Sequence, residues 1–341
     1  MYKLPSPVQA PTNKKPNKRR FRYLIFQILG AILLLSWISY SFSSGVDRIS
    51  LKIHPAVEGL ISRPGPISPI RQKEKKKEAY VTFLSSITDP AYLLSTRLLI
   101  YQLLHDPLNL DSTRSRDIVV VLTPEISQDV EALLMREGAT IERVELLDGL
   151  DLPEQVNDHW RDQYTKLNIF NLTSYERVLY LDNDVLLLKS LEDIWHSDGS
   201  DLPSGLGGVG ENSKRLMRNT DLRIPPPEGL DVEEKDYLNA GFMLIRPDEG
   251  LFEELRGVRG YDTFYMEQAL INHYFDWEGE HPWTALDYKF VSHFPRSSDI
   301  EEGYHSLHAK MWKDPVPQAV RQIWEQAVER MEEHWRWHEE E

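Results

Sequence analysis

Residues 177–188 read RVLYLDNDVLLL, and this stretch decides the fold. Valine, leucine and tyrosine dominate it, which is typical of a strand buried on both faces of a sheet. Asp182, Asn183 and Asp184 interrupt the apolar run. Because side chains two residues apart leave a strand on the same face, we predict that the two carboxylates converge where the strand ends. The alternative interpretation is a plain surface turn, since Asp and Asn favour turns.

Short apolar runs alternate with helical periodicity on both sides of this stretch. Such alternation indicates an α/β fold with a mostly parallel sheet flanked by helices. In open sheets of this class, ligands bind beyond the carboxyl ends of the strands, where Asp182 and Asp184 lie. The predicted strands are residues 79–84, 117–122, 140–147, 178–181 and 242–245, and the predicted helices are residues 91–104, 128–137, 163–172 and 266–275.

Two further segments have a predicted role. The glycine-rich residues 202–210 lack the strand-to-helix pattern of a dinucleotide site, so we expect an active-site loop there. Residues 316–341 are predicted to form an amphipathic helix whose apolar stripe packs against the core. The stripe comprises Val320, Ile323, Trp324, Ala327, Met331 and Trp335.

The charge of the chain is divided unequally along its length. Of 39 basic and 54 acidic residues, residues 1–77 hold 15 and 3, which leaves 24 and 51 after Lys77, a net charge of −27. A body this acidic repels polyanions, so nucleic acid is not an expected partner. The chain has no cysteine, which excludes a disulfide framework, a thiolate zinc site and a cysteine nucleophile.

Residues 23–42 predict a membrane anchor. They carry no charge and number about 20, the length needed to cross a bilayer, and six cations precede them closely. The positive-inside rule then places residues 1–22 in the cytosol as a basic tail and the rest of the chain in the lumen, a single-pass type II arrangement. The alternative is a cleaved signal peptide, whose apolar core is usually shorter. Residues 43–77, rich in proline and charge, are expected to form a stalk.

Converging carboxylates at a strand end suit a hard divalent cation such as Mg²⁺ or Mn²⁺. A cation would also let an acidic domain hold a diphosphate and stabilise it as a leaving group.

Four segments carry a family resemblance: residues 164–180 (YTKLNIFNLTSYERVLY), 237–247 (YLNAGFMLIRP), 266–275 (MEQALINHYF) and 305–312 (HSLHAKMW). In this order and spacing they resemble glycosyltransferase family 8, the glycogenin-like retaining sugar transferases. The resemblance spans residues 79–312. It implies a GT-A fold with a Rossmann-like central sheet over residues 78–315, a manganese or magnesium cofactor and a UDP-sugar donor.

The resemblance also implies a role for each matching residue. The expected metal ligands are Asp182, Asp184 and His305. The expected donor-binding residues are Ser85, Tyr92, Lys166, Asp182, Asn239, Gly241, His308 and Lys310. Gln268, Glu267 and Lys310 are the expected catalytic residues. The chain departs from the family pattern at Glu267, His308 and Met311, where the family usually has Asp, Gly and Pro.

The activity that follows from this resemblance is transfer of a hexosyl group from a UDP-sugar to a glycan or glycoprotein acceptor, in the Golgi lumen and with retention of configuration. Two alternatives stand beside it. An inactive member would bind glycans or act as a scaffold, and a metal-dependent phosphotransferase or nucleotidyltransferase would need a phosphate-binding glycine loop that is not found. A homodimer is a further option. The sequon Asn171-Leu172-Thr173 falls between a helix and a strand that should be packed, so we expect it to be unused.

Overall fold

The computed structural model describes residues 76–147, 163–211, 237–261, 263–277 and 279–339. The strands are β1 Lys76–Leu84, β2 Asp117–Leu122, β3 Thr140–Arg143, β4 Tyr175–Leu181, β5 Val185–Leu187, β6 Leu206–Gly210, β7 Leu238–Ile245, β8 Thr284–Ala285, β9 Ser292–His293 and β10 Ser306–His308. The α-helices are α1 Pro90–Leu104, α2 Gln128–Arg136, α3 Glu249–Gly257, α4 Met266–Tyr274, α5 Ser297–Glu301 and α6 Gln318–Glu339. Segments of 3₁₀ helix lie at Thr165–Asn171, Glu192–His196, Thr263–Tyr265 and Tyr288–Phe290.

The main sheet has the strand order β3-β2-β1-β4-β7-β6-β8. The pairs β3/β2, β2/β1, β1/β4 and β6/β8 are parallel, whereas β7 runs antiparallel to both β4 and β6. The sheet is therefore mixed but mostly parallel, and the prediction of an α/β fold is confirmed. β1 begins at Lys76, two residues before the predicted start of the domain.

Local sequence signals set the first two helices. Asp89 accepts a hydrogen bond from the backbone N–H of Ala91 and Pro90 follows it, a favoured start for α1. Ser127 caps α2, since its side chain accepts a hydrogen bond from the Val130 N–H. β3 is shorter than the predicted residues 140–147, because β2, the strand it pairs with, ends at Leu122 opposite Arg143.

Most of the glycine-rich stretch 202–210 is not the predicted loop. Residues 206–210 form the buried strand β6, between β7 and β8. A Cβ on Gly208 would overlap the Leu238 side chain, and one on Gly207 would lie 2.7 Å from Leu202 Cδ2. The glycines therefore serve close packing inside the sheet.

Apolar residues cover both faces of the sheet, which explains the near-continuous apolar strands. One face packs against α1 and α2 through Leu99, Leu103 and Leu134. The other face packs against the 3₁₀ helix Thr165–Asn171, α3 and α4 through residues such as Phe170 and Leu270. Strands buried on both faces lose the alternating pattern that a half-exposed strand shows.

A second sheet, with the order β5-β10-β9, lies beside the first, and α6 closes over it. The apolar stripe of α6 joins Leu98 of α1, Leu186 of β5 and Leu307 of β10 in a third core cluster. The predictions of an amphipathic C-terminal helix and of its packing role are confirmed. α6 therefore belongs to the same folded body as the strands that it covers.

The predicted cytosolic tail, anchor and most of the stalk, residues 1–75, lie outside the described residues. Within the part of the chain that the structure describes, no helix combines the length and the apolar character that a bilayer crossing needs.

Met331 tests the packing of α6, because its side chain is fully buried in the third cluster. We expect Met331→Ala to lower the free energy of unfolding by about 2–5 kcal/mol, through lost burial and the cavity that remains. Trp337→Ala is the control, since Trp337 is 73% exposed on the same helix. Urea denaturation followed by circular dichroism measures both. Equal stability of Met331→Ala and the unmutated chain would contradict the packing role.

Candidate functional site

The site forms where β4 leaves the main sheet and β5 enters the second one. The turn between them is closed by the Val185 N–H, which donates to the Asp182 carbonyl at 3.0 Å. The Asp182 N–H donates to the Gly241 carbonyl of β7 at 2.9 Å. The Asn183 amide donates instead to the Phe83 carbonyl at 3.3 Å, in the protein interior. Asn183 therefore fixes the turn from inside.

His308 completes the cluster with the two aspartates. β10 pairs antiparallel with β5, and this register sets His308 opposite Val185, next to Asp184. His308 Nε2 lies 3.0 Å from Asp184 Oδ1 and 3.5 Å from Asp182 Oδ2. One possible ligand atom from each of these three residues lies within 4.8 Å of the others.

The structure does not bring His305 to this cluster, which corrects the prediction. The His305 carbonyl accepts from the Leu188 N–H, and its ring Nδ1 lies 2.7 Å from the Ser190 carbonyl. The reason lies in the direction of β10. His308 is the last residue of this strand and lies beside Asp184, whereas His305 precedes its start. Three residues of strand cover roughly 10 Å, which keeps the His305 ring away from the aspartates. His308, first assigned to the donor, takes the place expected for His305.

Gly241 leaves the space that the cluster occupies. A Cβ at this position would overlap His308 Cε1 and would lie 2.7 Å from Asp182 Oδ2. The backbone N–H of Gly241 donates to Asn239 Oδ1 at 2.9 Å, which holds this part of β7 in place. The glycine expected from the family pattern therefore has a steric reason that concerns the cluster itself.

The three residues fit a divalent cation. Asp184 Oδ1 is buried and has no aligned hydrogen-bond donor, although His308 Nε2 is 3.0 Å away. A buried carboxylate oxygen without such a donor is costly unless a cation satisfies it. Two carboxylates and an imidazole suit Mn²⁺ better than Ca²⁺, which prefers oxygen ligands alone. Among the described residues, no other group of acidic, histidine or cysteine side chains meets the same distance criterion.

Lys166 links Asp182 to Glu267. Its ammonium lies 3.1 Å from Asp182 Oδ1 and 2.7 Å from Glu267 Oε1, and its side chain is 6% exposed. Burial alone would lower the pKa of Lys166, but the two carboxylates outweigh burial and raise this pKa. Tyr180 adds a hydrogen bond to Asp182. Lys166 is therefore engaged by protein carboxylates rather than turned toward open space.

The remaining pKa directions reflect the same crowding. Burial raises the pKa of Glu267, with Lys166 opposing it. Burial would also raise the pKa of Asp184, but the charges of His308 and Lys310 outweigh it and lower this pKa. Burial would lower the pKa of His308, yet Asp184 and Asp182 raise it. The carboxylates and cations of the site thus depend on one another for their charged forms.

Lys310 and Tyr92 meet beside the cluster. The Lys310 ammonium is 5.8 Å from the centre of the Tyr92 ring, and its pKa is raised because Tyr92, Asp184 and Asp182 outweigh the effect of burial. Trp312 packs edge-on against Tyr92 and donates to Asp89 at 3.3 Å. Tyr92 of α1 and Lys310, which follows β10, were both predicted to bind the donor, and they therefore lie next to each other.

Three other predicted site residues, Ser85, Asn239 and Gln268, make hydrogen bonds to neighbouring parts of the fold. The Ser85 carbonyl, at the end of β1, accepts from the Thr123 hydroxyl at 2.7 Å. Gln268 Oε1 accepts from the Ala240 N–H at 2.9 Å, which commits the side-chain oxygen to β7. Asn239 holds Gly241, as described above.

His293 was not predicted from sequence. It lies on β9, opposite His308 in the second sheet, and the Nδ1 atoms of the two rings are 3.1 Å apart. For His308 Nε2 to serve as a ligand, its proton must sit on Nδ1, which can then donate to His293. Burial holds the pKa of His293 well below its ordinary value, so His293 stays neutral and can accept. The surrounding sequence, KFVSHFP, carries no signal of this role.

Comparison with known proteins agrees with this geometry. Residues 125–256 match the model of glycosyl transferase family 8, a segment that includes Lys166, Asp182, Asp184, Asn239 and Gly241. The chain therefore contains a segment that is similar to glycosyltransferase family 8. The predicted family resemblance is thereby confirmed, and the mixed α/β sheet agrees with the fold class that this resemblance implies.

Relatives lie at moderate identity. An uncharacterized protein of Schizosaccharomyces pombe is 26% identical over 293 residues, which are 72% of this chain and 77% of the relative. The inositol phosphorylceramide glucuronosyltransferase 1 of Arabidopsis thaliana is 27% identical over 205 residues, 59% of this chain but only 31% of its own length. The crystal structure of the glycosyltransferase GlyE of Streptococcus pneumoniae is 16% identical with a TM-score of 0.47, covering 76% of this chain and 63% of that chain.

Gly241→Ala tests the space at the cluster. The added Cβ would force His308 and Asp182 apart, so we expect loss of Mn²⁺ binding while the secondary structure persists. Calorimetric titration with Mn²⁺ and circular dichroism provide the two readouts. Gly257→Ala is the matched control, because a Cβ there meets nothing within 4 Å. Unchanged Mn²⁺ affinity in Gly241→Ala would argue against the cluster as a cation site.

His293→Phe tests the contact between the two imidazoles. It keeps an aromatic ring but removes the acceptor for His308 Nδ1–H, so we expect Mn²⁺ affinity to fall by roughly 10–100-fold. His293→Gln, which restores an acceptor oxygen, should retain more of the affinity. Calorimetry in the absence of any sugar donor separates this effect from catalysis. The same affinity in the Phe and Gln variants would show that His293 only fills space.

Proposed function

We propose that this protein is a family 8, metal-dependent retaining transferase that moves a hexosyl group from a UDP-sugar to a glycan or glycoprotein. We further propose that its domain faces the Golgi lumen, held by the predicted type II anchor at residues 23–42. The family resemblance supports sugar transfer in general. The proposal goes beyond this general support, because it also specifies a UDP-sugar donor, a metal ion, an acceptor and a compartment.

The cluster of Asp182, Asp184 and His308 carries the proposal. It stands at the carboxyl end of β4, where ligands bind in open α/β sheets. Gly241 leaves room for it, and Asp184 keeps a buried oxygen without an aligned donor. A plain surface turn would need neither feature, so the geometry favours the cation interpretation over the turn.

These residues would hold Mn²⁺ or Mg²⁺, which, when bound, supplies positive charge that stabilises UDP as the leaving group. Lys310 is near enough to the cluster that Tyr92, Asp184 and Asp182 together raise its pKa, and it would contact the diphosphate, adding charge stabilisation as the bond to the sugar breaks. Lys166 positions Asp182 through its ion pair and keeps Glu267 next to the site. We assign Lys166 this positioning role in place of direct donor contact.

A panel of UDP-sugars tests the reaction class. The full chain, purified in detergent, should release UDP slowly from one sugar donor in the presence of Mn²⁺ and faster with a suitable acceptor. Release of UMP or inorganic phosphate would instead identify a nucleotidyltransferase or phosphotransferase. Absence of any Mn²⁺-dependent UDP binding would favour an inactive glycan-binding or scaffold protein.

Asp184→Asn tests the cation role directly. The substitution keeps the size of the side chain and removes its charge, so we expect turnover to fall by about 100-fold or more, as is common when a group that stabilises developing charge is lost. Asp129→Asn, on the exposed side of α2, is the charge-matched control. The rate of UDP release at saturating Mn²⁺ is the measurement, with circular dichroism as the check on folding. Equal rates in the two variants would contradict the assignment.

A further inference from the structure

The segment Asn171-Leu172-Thr173 is the single Asn-x-Ser/Thr sequon in the sequence. It connects the 3₁₀ helix Thr165–Asn171 to β4. From the sequence we expect this connection to be packed and the sequon to carry no glycan. The structure gives a different picture: the Asn171 and Thr173 side chains are exposed, whereas Leu172 between them is buried. The expectation of a packed sequon is therefore wrong.

The backbone explains this exposure. Leu172 has φ −74° and ψ 52°, close to the values of an inverse γ-turn. The Thr173 N–H donates to the Asn171 carbonyl at 2.7 Å, which closes that turn. Leu172 packs into the same apolar cluster as Phe170 and Val178. Because the middle residue of the turn is anchored inward, the two residues that define the sequon are presented outward.

The sequon is also distant from the candidate site. β4 runs from Tyr175 to Leu181 and reaches Asp182 at its far end, while the sequon precedes its start. Seven residues of strand cover roughly 20 Å. A large substituent on Asn171 would therefore project from the opposite end of the sheet and leave access to Asp182 open.

We propose that Asn171 carries an N-linked glycan, an inference that rests on the proposed lumenal orientation of the domain. In the attachment step, Asn171 Nδ2 forms a bond to C1 of an oligosaccharide and loses one proton, which is taken up overall by the departing diphosphate. The bond that breaks joins the same C1 to the oxygen of a lipid diphosphate, which leaves as the free lipid diphosphate. The donor is thus a lipid-linked oligosaccharide of the secretory pathway, and an exposed surface turn is the context in which such sequons are used.

The test expresses the full chain in eukaryotic cells and compares its electrophoretic mobility before and after treatment with a peptide N-glycosidase. The unmutated chain should lose the mass of one glycan. Asn171→Gln and Thr173→Ala should migrate as the treated chain does, whereas Thr173→Ser keeps the sequon and should still shift. Mn²⁺-dependent release of UDP should be the same with and without the glycan.

A reporter sequon appended after Glu341 separates failure of this inference from failure of the proposed orientation. Modification of the reporter without modification of Asn171 would overturn the Asn171 assignment and leave the lumenal orientation standing. If neither sequon is modified, the orientation and the Asn171 assignment both fall. A shift that persists in Asn171→Gln would also overturn the assignment. The sugar-transfer activity is judged separately, by the release of UDP.

Discussion

The architecture of the site depends on one constraint: the chain leaves one sheet and enters another within three residues. β4 belongs to the seven-stranded sheet, β5 to the three-stranded sheet, and the turn between them carries both aspartates. Because Asn183 is bonded inside the protein, the turn cannot rotate freely. The second sheet then delivers His308 by its register with β5. The cluster is therefore a product of sheet geometry more than of local sequence.

Electrostatics explain how an acidic domain tolerates this cluster. Glu267 is buried and the partly buried Asp182 and Asp184 stand close to it, an arrangement of carboxylates that is unfavourable without compensation. Lys166, His308 and Lys310 provide that compensation. The carboxylates beside Lys166 and His308 raise the pKa of each, and Tyr92 together with Asp184 and Asp182 raises the pKa of Lys310. The positive charge is thus concentrated where the chain needs it, although the sequence after Lys77 is strongly acidic. Removal of any one of these charged side chains would leave a neighbouring side chain of opposite charge without its partner.

Sequence reasoning found the strand, the aspartates and the helices because each has a local cause. The buried strand Tyr175–Leu181 follows from its apolar run, and α1 and α2 follow from Asp89 and Ser127 at their starts. The glycine-rich residues 206–210 were misread, because a glycine chosen for close packing looks the same in sequence as one chosen for a loop. His308 was predicted to bind the donor and not to join the metal cluster, and His293 was not predicted at all, for another reason. Their roles come from pairing between strands far apart in the chain, which no local pattern encodes.

The glycine at position 241 has a consequence for how the family can vary. The space left by its missing side chain is occupied by the imidazole at position 308, so a larger residue at 241 requires a smaller one at 308. A descendant of this chain that gains a methyl group at 241 would survive only if a smaller residue had first replaced the histidine. The order of substitutions is therefore restricted in one direction wherever the strand register between β5 and β10 is kept: position 308 can become smaller first, but position 241 cannot become larger first.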